Sequence, residues 1–131
     1  VTLCMENNNS KVESDNRTDQ VFDQIEWGFD VCRRTGSPNV KVVFDIYHAQ
    51  ISDGDIVRHL RENLDLICHI HVAGVPTRGE IDETNELYYP FIAQEIVNMG
   101  YDKYVAHEYR PTPGSNPLVT LAKAYDIMTV N

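Results

Sequence analysis

Nowhere in the sequence does an apolar run approach the ~20 residues needed to cross a bilayer, and no stretch has the pattern of a signal peptide. A soluble cytoplasmic protein is the expectation. Basic residues are scarce, with 11 Lys and Arg against 20 Asp and Glu and a formal net charge of −9. Such a balance repels phosphate backbones, which argues against nucleic-acid binding as a main activity. Cysteine is equally sparse. Cys4, Cys32 and Cys68 are odd in number, widely spaced and without a CxxC, a pattern read as buried free thiols in a reducing compartment. Neither GxGxxG nor GxxxxGK[ST] follows any strand-like run, so a dinucleotide or P-loop site has no support.

What is present is enough apolar sequence for a core, 42% of 131 residues, within the size of one domain spanning residues 1–131. Val1–Met5, Val40–Tyr47, Leu66–Val72 and Tyr104–Tyr109 are short β-rich runs bounded by polar or turn-forming residues. Thr18–Arg34, Asp53–Leu64, Tyr89–Met99 and Pro117–Met128 carry apolar residues at helical spacing. The first of these ends in Arg33, Arg34 and Gly36, the basic last turn and glycine stop of a helix. Strict alternation of strand and helix argues for a parallel sheet built from right-handed crossovers, either doubly wound or a (β/α)8 barrel.

Each strand-like run brings one residue able to hold a metal. Glu6 follows Met5, Asp45 follows Phe44, His71 lies in His69-Ile70-His71, and Glu108 follows His107. In a parallel barrel the strand ends converge on one rim, where the fold carries its catalytic residues, so groups far apart in sequence become neighbours. Three carboxylates and one imidazole suit a divalent ion such as Mg²⁺ or Mn²⁺, with positions left for substrate oxygens. Taken singly, each has a plainer reading. An acidic residue after a strand is more often a helix cap or turn former, and a lone strand histidine is more often a satisfied core residue. Recurrence over four runs tips the balance toward a site. Asn7, following Glu6, suits contact with a polyhydroxylated substrate. The 75–80 segment has surface-turn composition, and its functional reading is a loop bringing the Arg78 guanidinium over a substrate carboxylate.

Val43-Phe44-Asp45-Ile46-Tyr47-His48-Ala49-Gln50, His69-Ile70-His71-Val72-Ala73-Gly74-Val75-Pro76-Thr77-Arg78-Gly79-Glu80, Asn85-Glu86-Leu87-Tyr88-Tyr89 and Glu108-Tyr109-Arg110-Pro111 resemble the consecutive signatures of the hydroxypyruvate isomerase family. That family belongs to the xylose isomerase-like TIM-barrel superfamily, and the likeness runs from about Val1 to Pro111. It implies an α/β fold, a (β/α)8 TIM barrel of which this chain covers about the last four βα units. It also implies an isomerase of carbohydrate metabolism that interconverts hydroxypyruvate and tartronate semialdehyde. Glu6, Asp45, His71 and Glu108 would then bind the metal, Glu6 and Glu108 would transfer the proton, and His48 and Arg78 would contact substrate oxygens, with no organic cofactor.

Gly79 departs from the family, which usually has His after that Arg, and Glu80 and Glu86 match family residues whose roles the sequence leaves open. Some members carry Gln in place of His71. A ketose 3-epimerase or inosose dehydratase on the same scaffold is the alternative within enzymes; a catalytically silent truncated module is the alternative outside them. A DNA-repair endonuclease of the superfamily is disfavoured by the acidic charge and the few extra His and carboxylate positions. A barrel needs eight strands and about 250 residues. The expected partners are therefore a small hydroxy-carbonyl substrate and the other half of the barrel, with a homo-oligomer as a further option. The 131-residue chain alone is expected to be poorly stable or to self-associate.

Overall fold

A computed structural model describes residues 1–12 and 20–131. Four strands, β1 (Leu3–Glu6), β2 (Val40–Asp45), β3 (Ile67–Val72) and β4 (Val105–His107), form one sheet. All neighbours pair in parallel, in the order β1-β2-β3-β4. A doubly wound sheet reverses its strand order at a switch point, whereas a barrel adds strands in sequence order. The sequential order is that of a barrel arc.

Burial is unequal on the two sheet faces, and alternation along the strands is the cause. Val42, Phe44, Ile70 and Val72 point to one face, are fully buried, and share a core cluster with Phe29, Leu60, Ile92 and Ile96 from the helices. Phe44 lies 6.4 Å from Phe29, ring to ring. Phe44→Ala is expected to cost about 3–5 kcal/mol of stability, the usual penalty for emptying a buried aromatic site. Urea unfolding checks this, and a loss under 1 kcal/mol would show that the core is not anchored there. The opposite face carries Glu6, Asp45 and His71, the interior side of the arc.

Among the described residues five α-helices connect or follow the strands: α1 (Ile25–Thr35), α2 (Ile46–Ser52), α3 (Ile56–Asn63), α4 (Tyr89–Asn98) and α5 (Pro117–Met128). α4 and α5 fall where apolar spacing places them, each with a proline in its first turn. α1 starts later than the periodicity predicts. Thr18 and Asp19 lie outside the described residues, Val21 is exposed, and Phe22 turns back so that its ring fills the space beside Gly28, where a Cβ would sit 2.1 Å from it. The first helical N–H, on Ile25, is taken by the Asp53 carboxylate (2.8 Å), a cap supplied from distant sequence. α1 stops as expected, at Gly36 in the left-handed region with its N–H on the Cys32 carbonyl.

The Val40–Tyr47 run is not all strand, and helix α2 within it had not been expected. Asp45 ends β2 and caps α2, its Oδ1 accepting from the His48 N–H at 3.0 Å. A β-rich apolar composition conceals this helix because its residues are buried by tertiary contacts on all sides, which erases helical periodicity.

The cysteines correct the expectation of buried free thiols. Only Cys32 is one. Cys4, exposed on β1, is bonded to Cys68 on β3, with Cα atoms 6.7 Å apart. Cys68 is the extra residue where the β2–β3 register shifts, Val42 facing Ile67 and Val43 facing His69. The cysteine pattern therefore lends no support to a reducing compartment.

β1 and β4 each have a free edge among the described residues, and Leu118, Val119, Leu121 and Tyr125 of α5 are exposed. An arc of four parallel strands with open edges and an uncovered apolar helix face is what half of a barrel presents. No helix of the described residues is long and apolar enough to cross a membrane.

Candidate functional site

Parallel pairing sends all four strands to the same rim, and the last residue of β1, the last of β2, the fifth of β3 and the first after β4 meet there. Glu6, Asp45, His71 and Glu108 each offer one ligand atom, and these atoms all lie within 4.8 Å of one another. His71 is central. Its Nδ1 is 2.8 Å from Glu6 Oε1, 3.1 Å from Glu108 Oε2 and 4.0 Å from Asp45 Oδ2.

The electrostatics follow from this crowding. The hydrogen bond to His71 holds the Glu6 carboxyl below its ordinary range, and the same bond raises the imidazole. Asp45, only 1% exposed, is pushed up to about 7 by burial, against the His48 N–H and the Arg78 charge, which favour its ionised form. Three carboxylates and an imidazole packed this closely are a donor set for a hard or borderline divalent cation. By that chemistry the residues fit a divalent metal ion.

Asn7, expected at the substrate, instead clamps the backbone of Asp45. Its Nδ2 donates to the Asp45 carbonyl at 3.0 Å, and its Oδ1 accepts from the Asp45 N–H at 2.8 Å. Asn7 is buried (1% exposed), and these two bonds fix the backbone that carries the Asp45 carboxylate. His48 is also buried. Nδ1 of its ring is 2.7 Å from Asn9 Nδ2, and Nε2 is in contact with Arg78 Nη1.

Arg78 does not extend over a solvated loop; it is tucked into the site at 9% exposure. Its Nη2 reaches Glu108 Oε2 at 2.6 Å and Asp45 Oδ2 at 3.3 Å, and the guanidinium lies over the Tyr47 ring, 4.9 Å from its centre. Inward placement pairs the Arg78 guanidinium with two of the three carboxylates of the cluster. Glu80 and Glu86 lie farther out: Glu80 bonds the 112–115 segment, and Glu86 Oε1 accepts from Gln50 at 3.3 Å. Gly79 pairs with Gly74 in an antiparallel bridge.

Asn9 and Tyr47 were not singled out from the sequence. Asn9 is fully buried and sets the His48 ring, while Tyr47 forms the floor under Arg78. The available signals were weak, namely the two-residue offset of Asn9 from Asn7 and of Tyr47 from Asp45.

A family profile described as xylose isomerase-like TIM barrel matches residues 1–126. Over 95 residues the chain is 40% identical to a 2-oxo-tetronate isomerase of Cupriavidus necator, an alignment covering 72% of this chain and 36% of that protein. It is 36% identical over 76 residues to the hydroxypyruvate isomerase of Escherichia coli K12, covering 58% of this chain and 29% of the other. A crystal structure described as an AP endonuclease, family 2, from Brucella melitensis superposes with a TM-score of 0.84 at 31% identity, over 96% of this chain and 46% of that one. The chain thus spans less than half the length of the relatives it matches.

Proposed function

The chain belongs to the xylose isomerase-like TIM-barrel family, and from that premise we propose that it carries the metal and proton-transfer residues of an isomerase. The substrate is hydroxypyruvate, giving tartronate semialdehyde, or a similar small hydroxy-carbonyl acid such as a 2-oxo-tetronate. The observation that carries this reading is the meeting of Glu6, Asp45, His71 and Glu108 at one rim within 4.8 Å. The names of the Cupriavidus and Escherichia relatives support the reaction class.

Interconversion moves a carbonyl between adjacent carbons, so a proton must leave one carbon and return to the other. Glu6, kept ionised by His71, is in the form a general base needs. Glu108, facing it across His71, returns the proton as acid, and the roles exchange in the reverse direction. Arg78, held by His48 and stacked on Tyr47, receives the substrate carboxylate, a match of planar fork to planar anion. Glu6, Asp45, His71 and Glu108 would hold a divalent ion, which would supply positive charge to the substrate oxygens when bound. Asn7 keeps Asp45 in place by gripping both of its backbone polar groups. The rest of the barrel, pairing with the open edges of β1 and β4, closes the interior and excludes water.

The test is proton NMR of hydroxypyruvate with the complete barrel, with and without Mn²⁺ or Mg²⁺. Metal-dependent conversion is the expected result. Epimerisation of ketohexoses with no change in hydroxypyruvate would transfer the assignment to the sugar-epimerase alternative. Cleavage of abasic DNA would favour the activity named for the Brucella protein, against which the net charge of −9 weighs.

A further inference from the structure

The 112–115 segment after β4 is tied to the Arg78 loop by one side chain. Glu80 accepts three hydrogen bonds from it: the Thr112 N–H at 2.8 Å, the Thr112 hydroxyl at 2.7 Å and the Ser115 hydroxyl at 3.2 Å. Two residues earlier, the Arg78 carbonyl accepts from the Arg110 N–H at 2.7 Å. The loop carrying Arg78 is thereby fastened to the segment that begins at Glu108, the carboxylate Arg78 itself pairs with.

We infer that Glu80 is a positioning residue, a latch that holds the Arg78 guanidinium at the site by fastening its loop to the segment after β4. The inference rests on the proposed role of Arg78 toward a substrate carboxylate. Arg78 has φ +56, in the left-handed region that a side chain with a Cβ rarely adopts without outside restraint. Within the loop, the Gly74–Gly79 bridge and the Asn85 side chain on the Glu80 carbonyl (3.2 Å) shape the base. Packing there is so close that a Cβ on Gly74 would lie 2.4 Å from the Glu80 carbonyl oxygen. None of these contacts joins the loop to the far side of the site; Glu80 and the Arg110 N–H do. The Thr112 hydroxyl and N–H, with the Glu80 backbone N–H and the Ser115 hydroxyl, hold the Glu80 carboxyl down at about 2, so it is ionised throughout the neutral range and the latch is not a pH device.

Glu80→Ala and Glu80→Gln variants of the complete barrel test this, followed by amide hydrogen exchange, Mn²⁺ titration and kinetics. Glu80→Ala is expected to speed exchange at Arg110 and Thr112 about tenfold and to raise KM for hydroxypyruvate by about tenfold, with kcat changed less than about threefold. Mn²⁺ affinity should stay within about twofold of the parent, and Gln, which keeps one acceptor, should restore part of both losses. Unchanged exchange would remove the latch, and faster exchange with unchanged KM would show a loop tie that does not position Arg78. If the parent protein leaves hydroxypyruvate untouched, the functional reading fails separately. The Arg78 Nε–H resonance then decides: displacement in Glu80→Ala upholds the latch, and an unmoved signal overturns it.

Discussion

Glu108→Gln in the complete barrel is expected to lower hydroxypyruvate turnover by about 10²–10⁴-fold, the contribution of one positioned acid–base group. Glu108 lies just beyond β4 with its side chain 47% exposed, so the substitution removes a charge and a proton carrier without emptying the core. Its oxygen position is retained by the amide, which separates loss of proton transfer from loss of shape. Unfolding by urea should be little changed. Mn²⁺ should still bind, more weakly, because three of the four proposed ligands remain. Turnover within tenfold of the parent would remove Glu108 from the proton-transferring pair, and full loss of Mn²⁺ binding would assign its effect to the metal instead.

Asp45→Asn is expected to have the largest effect on metal binding. Supporting residues around a metal cost about 10–100-fold in affinity when changed, and a direct ligand should cost at least that. The fold should tolerate the change for a specific reason. Asp45 caps α2 through the His48 N–H, and Asn caps helices as well as Asp. The sign of the stability effect follows from the acid's raised pKa. A carboxyl whose folded-state value lies at about 7 against 3.8 weakens the metal-free fold as pH rises through that interval, because the unfolded chain ionises first. Asn does not ionise, so the metal-free variant should be at least as stable as the parent above pH 7, where Asp45 is charged, and should gain less from added metal. Isothermal titration with Mn²⁺ and thermal unfolding at pH 6 and pH 8 measure both effects. An unaltered Mn²⁺ affinity would exclude Asp45 as a ligand.

Much of the architecture was legible because it depends on local pattern. α4 and α5 show their apolar face and their starting prolines in sequence, and β1 to β4 each lie within a β-rich run, although the second and fourth runs, read to Tyr47 and Tyr109, overshoot the strand ends at Asp45 and His107. Glu6, Asp45, His71 and Glu108 could be picked out because each lies within one residue of the C-terminal end of its strand. α2 could not be found this way, since Ile46, Tyr47, His48 and Ala49 are all buried and leave no polar face to mark the turn of the helix. The start of α1 was misplaced because Phe22 packs on Gly28 across a turn, which imitates helical spacing. The Cys4–Cys68 bond joins strands that are not neighbours in the sheet, and nothing in the spacing of three cysteines identifies which two meet.

By itself the sequence determined the alternation of strand and helix, the parallel sheet that alternation requires, and the chemical types offered at the strand ends. These are consequences of periodicity and of side-chain chemistry, which act over a few residues. Tertiary structure alone decided what those side chains do to one another. It turned Asn7 from the substrate to the backbone of Asp45, buried His48 behind Arg78, and brought Arg78 inward onto Asp45 and Glu108. It also tied Glu80 to Thr112 and Ser115, far along the chain. Distances of 2.6–3.3 Å between groups some 30 residues apart depend on strand register and loop closure, and neither is encoded in the identity of any one residue.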